Sequence, residues 1–315
     1  ILSRNESKQV DMDEEFNDDR LRFLIGDIRD KERLIKSLED IDIVFHAAAL
    51  KHVPVIEYNP FEAIKTNVIG SQNIIDAAVA QDVKKVICIG TDKSVSPLNT
   101  YGATKLLMEK LFVTANNFLS KEKHNTQFIA VRYGNVFGSS GSIIPKFLEQ
   151  IKHKRKITVT NKDMTRFLMT LDDALELVFY AFKVGKNGQL FIKKSPSAKI
   201  ETLVKAILSI MNKKDYPINI IGIRHGEKMH ETLLSKEEKI LSIENKDYYL
   251  INPDLRDLNY SKYYEAGKIK KVEKDYNSLD NNLFNLEQTI KLLKKSDFVK
   301  NLIKWKYSSP VQMVS

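Results

Sequence analysis

Residues 85–105 read KVICIGTDKSVSPLNTYGATK, and the order of residue types in this stretch decides the fold class. It opens on Val86-Ile87-Cys88-Ile89, a short β-branched run that predicts a strand buried on both faces. Gly90 ends the run, Thr91-Asp92-Lys93 follow directly, and a helical pattern begins at Thr100. The same alternation extends in both directions. Strands are expected at 22–25, 41–46, 85–90 and 127–133, with helices at 31–38, 60–81 and 100–119. Pro60, after Asn59, suits a first helical turn. Apolar runs alternating with amphipathic segments predict βαβ units, and hence a doubly wound α/β fold around a parallel sheet. From about Gly138 the alternation gives way to short elements with Gly-Ser and Pro punctuation. The expected division is therefore a regular domain over 1–137 and a smaller ligand-covering part over 138–315, whose last stretch, 307–315, carries no periodic pattern.

Composition narrows the function classes. The chain has 315 residues, 43% hydrophobic and 29% charged, an ordinary globular balance. Its single cysteine, Cys88, excludes an internal disulfide and a cysteine-based metal site, and points to a reducing, cytoplasmic setting. No apolar stretch approaches the roughly 18 residues a membrane helix needs, so a soluble protein with no membrane partner is expected. Fifty basic against 41 acidic residues give a net charge of +9, which suits an anionic partner without choosing one. Lysine runs such as Lys268-Ile269-Lys270-Lys271 and Lys294-Lys295 are interspersed with acids and lack accompanying aromatics. They read as a solvated surface, and no nucleic-acid partner is expected. The histidines show no metal-ligand spacing, so no metal is expected.

The chemistry concentrates in the opening stretch. Tyr101 and Lys105 lie four apart on the expected helix and share a face. A phenol with a pKa of about 10 is a poor base at neutral pH, and a nearby ammonium favours its ionised form. Taken alone the pair also fits an exposed i,i+4 contact. Asp92 and Lys93, however, stand at the carboxyl end of a parallel strand, the edge at which open α/β sheets bind ligands. An acid and a base poised together there can move protons at two adjacent carbons. Thr91 corresponds to the Ser/Thr that ordinarily ends such a strand and assists the tyrosine. No glycine-rich turn of the dinucleotide-binding kind precedes the residues 1–4, ILSR, which read as the end of a second strand; about 30 residues are expected upstream.

Several motifs in order carry a resemblance: His46-Ala47-Ala48-Ala49-Leu50-Lys51-His52-Val53-Pro54, then Asn67, Thr91-Asp92-Lys93, Tyr101-Gly102-Ala103-Thr104-Lys105, Arg132-Tyr133-Gly134-Asn135-Val136, and Gly222-Ile223-Arg224-His225-Gly226-Glu227-Lys228. The chain resembles the extended short-chain dehydrogenase/reductases, and within them the inverting UDP-N-acetylglucosamine 4,6-dehydratases of the pseudaminic acid pathway. The resemblance implies a Rossmann-like sheet, NADP as cofactor, a UDP-sugar substrate and a homo-oligomer joined through the helices bearing Pro60 and Tyr101. It further implies that Tyr101 takes the 4-hydroxyl proton as hydride leaves C4, with Lys105 holding the cofactor ribose and lowering the tyrosine pKa. Lys93 then removes the C5 proton and Asp92 protonates the departing 6-hydroxyl. By the same resemblance Ser3, Arg4 and Lys8 receive the adenosine 2′-phosphate, Asp27 and Ile28 lie against adenine, and Ala47, Ala48 and Ala49 let the strand end approach the cofactor. Lys51, Thr91, Asn135, Thr165, Arg224 and Glu227 are the implied substrate contacts, and His52 a structural residue. Two alternatives stay open: a retaining dehydratase or epimerase of the same fold, and a binding module without activity because the glycine-rich turn is absent.

Overall fold

A computed structural model describes residues 1–117, 124–139, 141–253 and 274–301. The first half runs β1 (Leu2–Ser3), α1 (Glu6–Phe16), β2 (Leu24–Ile25), α2 (Lys31–Ser37), β3 (Ile43–His46), α3 (Val53–Tyr58), α4 (Pro60–Ala63), α5 (Gly70–Ala80), β4 (Lys85–Ile89), α6 (Thr100–Thr114) and β5 (Gln127–Arg132). Beyond it come β6 (Asn135–Val136), α7 (Ile143–Lys152), β7 (Ile157–Val159), β8 (Thr165–Met169), α8 (Leu171–Val184), β9 (Leu190–Lys193), β10 (Ser197–Lys199), α9 (Ile200–Ile210), β11 (Ile218–Ile220), β12 (Thr232–Leu234), α10 (Lys236–Leu241), β13 (Ser242–Glu244), β14 (Tyr248–Ile251), β15 (Tyr276–Asn277) and α11 (Leu286–Lys295). The tail 307–315 and the run Lys268-Ile269-Lys270-Lys271 lie outside the described residues, whereas Lys294 and Lys295 are exposed at the end of α11.

The fold is the expected Rossmann-like α/β arrangement. The main sheet has the order β13-β14-β9-β5-β4-β3, parallel from β3 to β9 and antiparallel beyond, while β1 and β2 pair in parallel as a separate two-stranded sheet. Successive side chains of a strand point to opposite faces. Val86 and Cys88 of β4, with Phe128 and Ala130 of β5, accordingly join Ile74, Ala78, Met108 and Phe112 of α5 and α6 in one core. Ile87, Ile129 and Val131 point the other way, onto Leu177, Val178 and Ala181 of α8. Burial on both faces is why these strands read as continuous apolar runs. A second core forms where α7, α9 and α11 enclose β7 and β8.

Three expectations need correction. The boundary at 137/138 does not coincide with the sheet, because β9, β13 and β14 return to complete it from the later half. The helix expected at 60–81 is three pieces: α4, a π-helical turn at Ile64–Ile69, and α5. Within that wide turn Asn67 accepts the Leu50 N–H at 2.8 Å and donates to the Leu50 carbonyl at 3.0 Å and to the Thr104 hydroxyl at 3.0 Å. The turn therefore lets one buried amide tie the loop after β3 to α6, in keeping with the frequent use of such bulges near functional sites. Helix 100–119 ends as α6 at Thr114, followed by a 3₁₀ turn at Ala115–Asn117; residues 118 and 119 lie outside the described set.

Arg132, fully buried at the end of β5, donates to both Glu109 carboxylate oxygens at 3.0 and 2.6 Å, to both oxygens of Glu238 at 2.9 and 2.8 Å, and to the Leu233 carbonyl at 2.9 Å. The two carboxylates outweigh burial and hold the guanidinium above its already high range. Removing the cation strands Glu109, itself 1% exposed. Arg132→Leu is expected to cost about 3–5 kcal/mol, read as a lower midpoint in urea unfolding; a midpoint unchanged from wild type would show that the network does not hold these elements.

Candidate active site

The reaction centre assembles at the carboxyl end of β4. Close packing there demands Gly90 and Gly102, since a Cβ on Gly102 would collide with the Lys93 carbonyl. After Gly90 the chain makes a 3₁₀ turn at Asp92–Ser94, fixed by the Ser94 hydroxyl donating to the Thr91 carbonyl at 2.7 Å and by the Asp92 N–H donating to the Tyr133 carbonyl at 3.0 Å. Helix α6 then starts at an Asn99 cap, whose side-chain oxygen accepts the Gly102 N–H at 2.8 Å. The Asn99 amide donates to the Gly226 carbonyl at 2.8 Å, so one residue both starts the Tyr101 helix and holds the Arg224–Glu227 loop. Glu57 accepts the Thr100 N–H at 2.6 Å, and Lys228 donates to the Val95 carbonyl at 2.6 Å.

Asp92, Lys93, Thr91 and Tyr101 converge. Lys93 Nζ lies 2.9 Å from Asp92 Oδ1, Thr91 donates to that same oxygen at 3.1 Å, and the Tyr101 phenol is near enough for Lys93 and Thr91 to favour its ionised form against burial. Asp92 is fully buried and its Oδ2 has no hydrogen-bond partner. Burial, opposed by Lys93 and reinforced by Glu231, pushes its carboxyl above the usual range. For Lys93 burial acts downward, but Asp92 and Glu231 outweigh it and raise the ammonium above its usual range. Each partner of the pair is therefore a weaker acid than it would be in water.

Lys105 departs from expectation. Its ammonium donates to the Ile89 carbonyl at 2.6 Å and to Met108 Sδ at 3.1 Å, and burial draws its pKa down to about 8. Burial raises the Tyr101 phenol, and the opposing cation is Lys93. Both residues lie on α6, but the Lys105 ammonium is held by the Ile89 carbonyl at the end of β4.

Lys51, Asn135, Arg224 and Glu227 line one cavity of about 280 Å³ together with Lys93, over an apolar floor that includes Met164, Leu168 and Leu203. The buried Oδ1 of Asn135 has no protein partner. His52 lines the same cavity and packs where a side chain on Gly141 would intrude. Thr165 does not line it. It is fully buried, with its hydroxyl 2.8 Å from His230 Nδ1 and 2.6 Å from Ser278 Oγ, so its place in the set of substrate contacts is corrected to a structural one.

The residues assigned to the cofactor stand at the ends of β1, β2 and β3. Arg4 and Asp27 form an ion pair at 3.5 Å, Ser3 accepts the Asn5 N–H, and Lys8 is exposed in the first turn of α1. Ala47 and Ala48 are exposed just beyond β3, with Ala49 partly so. Ile28 is the exception: its side chain is buried in the core, where a Cβ on Gly70 would press on it, which leaves no apolar face for a ligand. Burial, then the charge of Lys8, lowers the Lys51 pKa.

Sequence reading missed Glu231 and gave no site role to Arg166 or Lys228. Glu231 and Arg166 line the cavity, with Glu231 Oε1 3.5 Å from Lys93 Nζ and 3.8 Å from Arg166 Nε. Burial works against ionisation of Glu231, yet Lys93, Arg166 and Lys228 together hold its carboxyl below the usual range. The only signal in the sequence was position, a few residues beyond Glu227 and Lys228 in a motif already singled out. Among the described residues there is no cluster fit to hold a metal ion, and no helix long and apolar enough to cross a membrane.

Known proteins resemble this chain in sequence and fold. A protein from Rickettsia bellii named UDP-glucose 4-epimerase is 45% identical over 306 residues, covering 96% of this chain and 89% of its own; the Rickettsia rickettsii protein of the same name matches equally. The X-ray structure of Pen from Bacillus thuringiensis superposes with a TM-score of 0.85 at 41% identity, over 94% of this chain and 89% of that one. The fold is shared more distantly with DesIV, a dTDP-glucose 4,6-dehydratase from Streptomyces venezuelae solved with NAD, at a TM-score of 0.65 and 20% identity over 73% of this chain and 76% of that one. The family model described as polysaccharide biosynthesis protein matches residues 1–253, and its C-terminal counterpart matches 254–300. On that match the chain belongs to the polysaccharide biosynthesis protein family.

Proposed function

We propose that this protein is a nucleotide-sugar 4,6-dehydratase, a lyase that acts on UDP-N-acetylglucosamine with inversion at C5. The observation that carries the reading is the Asp92–Lys93 pair, 2.9 Å apart beside Tyr101 and at the cavity that Lys51, Asn135, Arg224 and Glu227 line. Epimerization at C4 needs one acid–base residue; elimination of water needs a second pair to take a proton from C5 and give one to the 6-oxygen. Lys51 and Arg224 suit the diphosphate of the nucleotide. Tyr101 takes the 4-hydroxyl proton, and the resulting 4-ketone acidifies C5. Lys93 passes its proton to Asp92, 2.9 Å away, and as a free amine takes the one from C5; the C5–H electrons form the C5–C6 double bond as the 6-oxygen leaves as water with the proton now on Asp92. Reprotonation of C5 on the opposite face gives the inverted product.

A nicotinamide cofactor would supply reversible hydride transfer at C4 and C6. The exposed strand ends at Ala47 and Ala48, with Arg4, Ser3 and Lys8 beyond β1, fit a phosphorylated dinucleotide, and NADP is the form we assign. Residues 1–137 with the returning strands would hold it, and the part from 138 the sugar nucleotide. Exposed Tyr58, Phe61 and Leu107, at 91%, 59% and 52%, support self-association through α3, α4 and α6 in a cytoplasmic homo-oligomer.

A second reading, UDP-glucose 4-epimerase, is favoured by the name that the Rickettsia relatives carry. Incubation with UDP-N-acetylglucosamine, and separately UDP-glucose, in deuterated water distinguishes them by NMR. The dehydratase gives a 6-methyl group and deuterium at an inverted C5; a retained C5 identifies a retaining dehydratase. A 4-epimer with its 6-hydroxyl intact identifies the epimerase. Tyr101→Phe is expected to lower turnover by at least about 100-fold with sugar-nucleotide affinity unchanged by calorimetry; wild-type turnover would remove Tyr101 from the chemistry.

A further inference from the structure

We propose that Glu231 is a positioning residue of the reaction centre, the second carboxylate against which the Lys93 amine is held opposite Asp92. The inference deepens the dehydratase reading and rests on it for the identity of the reaction. Its geometry stands independently.

Lys93 reaches into the cavity on a four-carbon stem with free rotation at each bond. One ion pair to its sequence neighbour Asp92 leaves that stem a choice of positions. Glu231, arriving from the other half of the chain, removes the choice: its Oε1 is 3.5 Å from Lys93 Nζ, on a side chain only 4% exposed. The backbone of Glu231 is fixed in turn. Its N–H donates to Ser278 Oγ at 2.9 Å, the Ser278 N–H donates to the Glu231 carbonyl at 2.8 Å, and Ser278 is hydrogen-bonded to the buried Thr165.

Two features argue against a purely structural carboxylate. Glu231 Oε2 is buried with no hydrogen-bond partner, an arrangement that native cores avoid. Glu231 also lines the cavity beside Lys93 and Arg166, where a sugar would sit. A carboxylate desolvated at that cost is retained for the charge that it places beside a working amine.

The charges around the pair are few. Lys93 faces Asp92, Glu231, Arg166, Lys228 and the Tyr101 phenol; Glu231 faces Lys93, Arg166, Lys228, Asp92 and Tyr101. The two carboxyls are pushed apart, Asp92 above and Glu231 below the usual range. Such splitting sets Asp92 apart as the carboxyl better suited to exchange a proton. Since Glu231 raises both Lys93 and Asp92, removing its charge lowers both.

The test compares Glu231→Gln and Glu231→Asp with wild type by two readouts. Acetic anhydride labelling of Lys93, followed by peptide mass spectrometry across pH, needs no turnover. In Glu231→Gln the half-labelling pH is expected to fall by roughly one unit or more, with Glu231→Asp between it and wild type. The pH profile of dehydration is expected to move to lower pH in Glu231→Gln and to lose at least about tenfold at its maximum, and Glu231→Asp to recover part of both. Unchanged labelling and an unmoved profile in Glu231→Gln would overturn the proposal, as would a lower rate without any displacement in pH. Should wild type form no dehydrated product, the dehydratase reading fails by itself, while the labelling arm still decides whether Glu231 governs Lys93.

Discussion

The buried guanidinium of Arg132 is the constraint on which the rest of the site depends. It grips Glu109 on α6, Glu238 on α10 and the Leu233 carbonyl on β12 from a single position at the end of β5. Leu233 lies two residues beyond Glu231, so this one group sets the register that brings Glu231 to Lys93. The same clasp anchors α6, which carries Tyr101. A planar, permanently charged fork is suited to the task, because it satisfies several acceptors at once in fixed directions.

Around this clasp the two halves of the chain are interleaved, and the cavity lies where they meet. Asn99 couples the start of α6 to the loop at Gly226, Lys228 reaches back to Val95, and Asn67 ties the loop after β3 to Thr104. Each link is a buried or half-buried polar contact joining segments remote in sequence. The sheet supplies the residues at the end of β4, and the later half supplies Glu231 and Arg166 together with Arg224 and Glu227. The first half carries the acid–base residues, and the later half closes the cavity over them and sets Glu231 beside Lys93.

The sequence disclosed the parts that local patterns encode. Val86-Ile87-Cys88-Ile89 alternates between two cores, and Asp92, Lys93 and Tyr101 follow it at short range, so strand, fold class and most of the centre could be read directly. Lys51, Asn135, Arg224 and Glu227 were recognisable because they sit in ordered motifs, and they share one cavity. What stayed hidden depends on tertiary competition. The π turn at Asn67 has no composition mark, and Lys105 is captured by a carbonyl whose availability only the folded strand end reveals. Thr165 looked like a substrate contact, but His230 and Ser278 enclose it. Glu231 is an unremarked acid in sequence and gains its meaning from a lysine in the opposite half.

Cys88 illustrates a practical outcome of how the central strand is packed. It is the one thiol in the chain, fully enclosed between helices, and burial pushes its pKa up to about 12. Thiolate is the reactive form, so electrophiles and mild oxidants find no target in the native state. The molecule is in effect a ready background for fluorophore or spin-label studies, in which a cysteine introduced at the cavity rim would react alone.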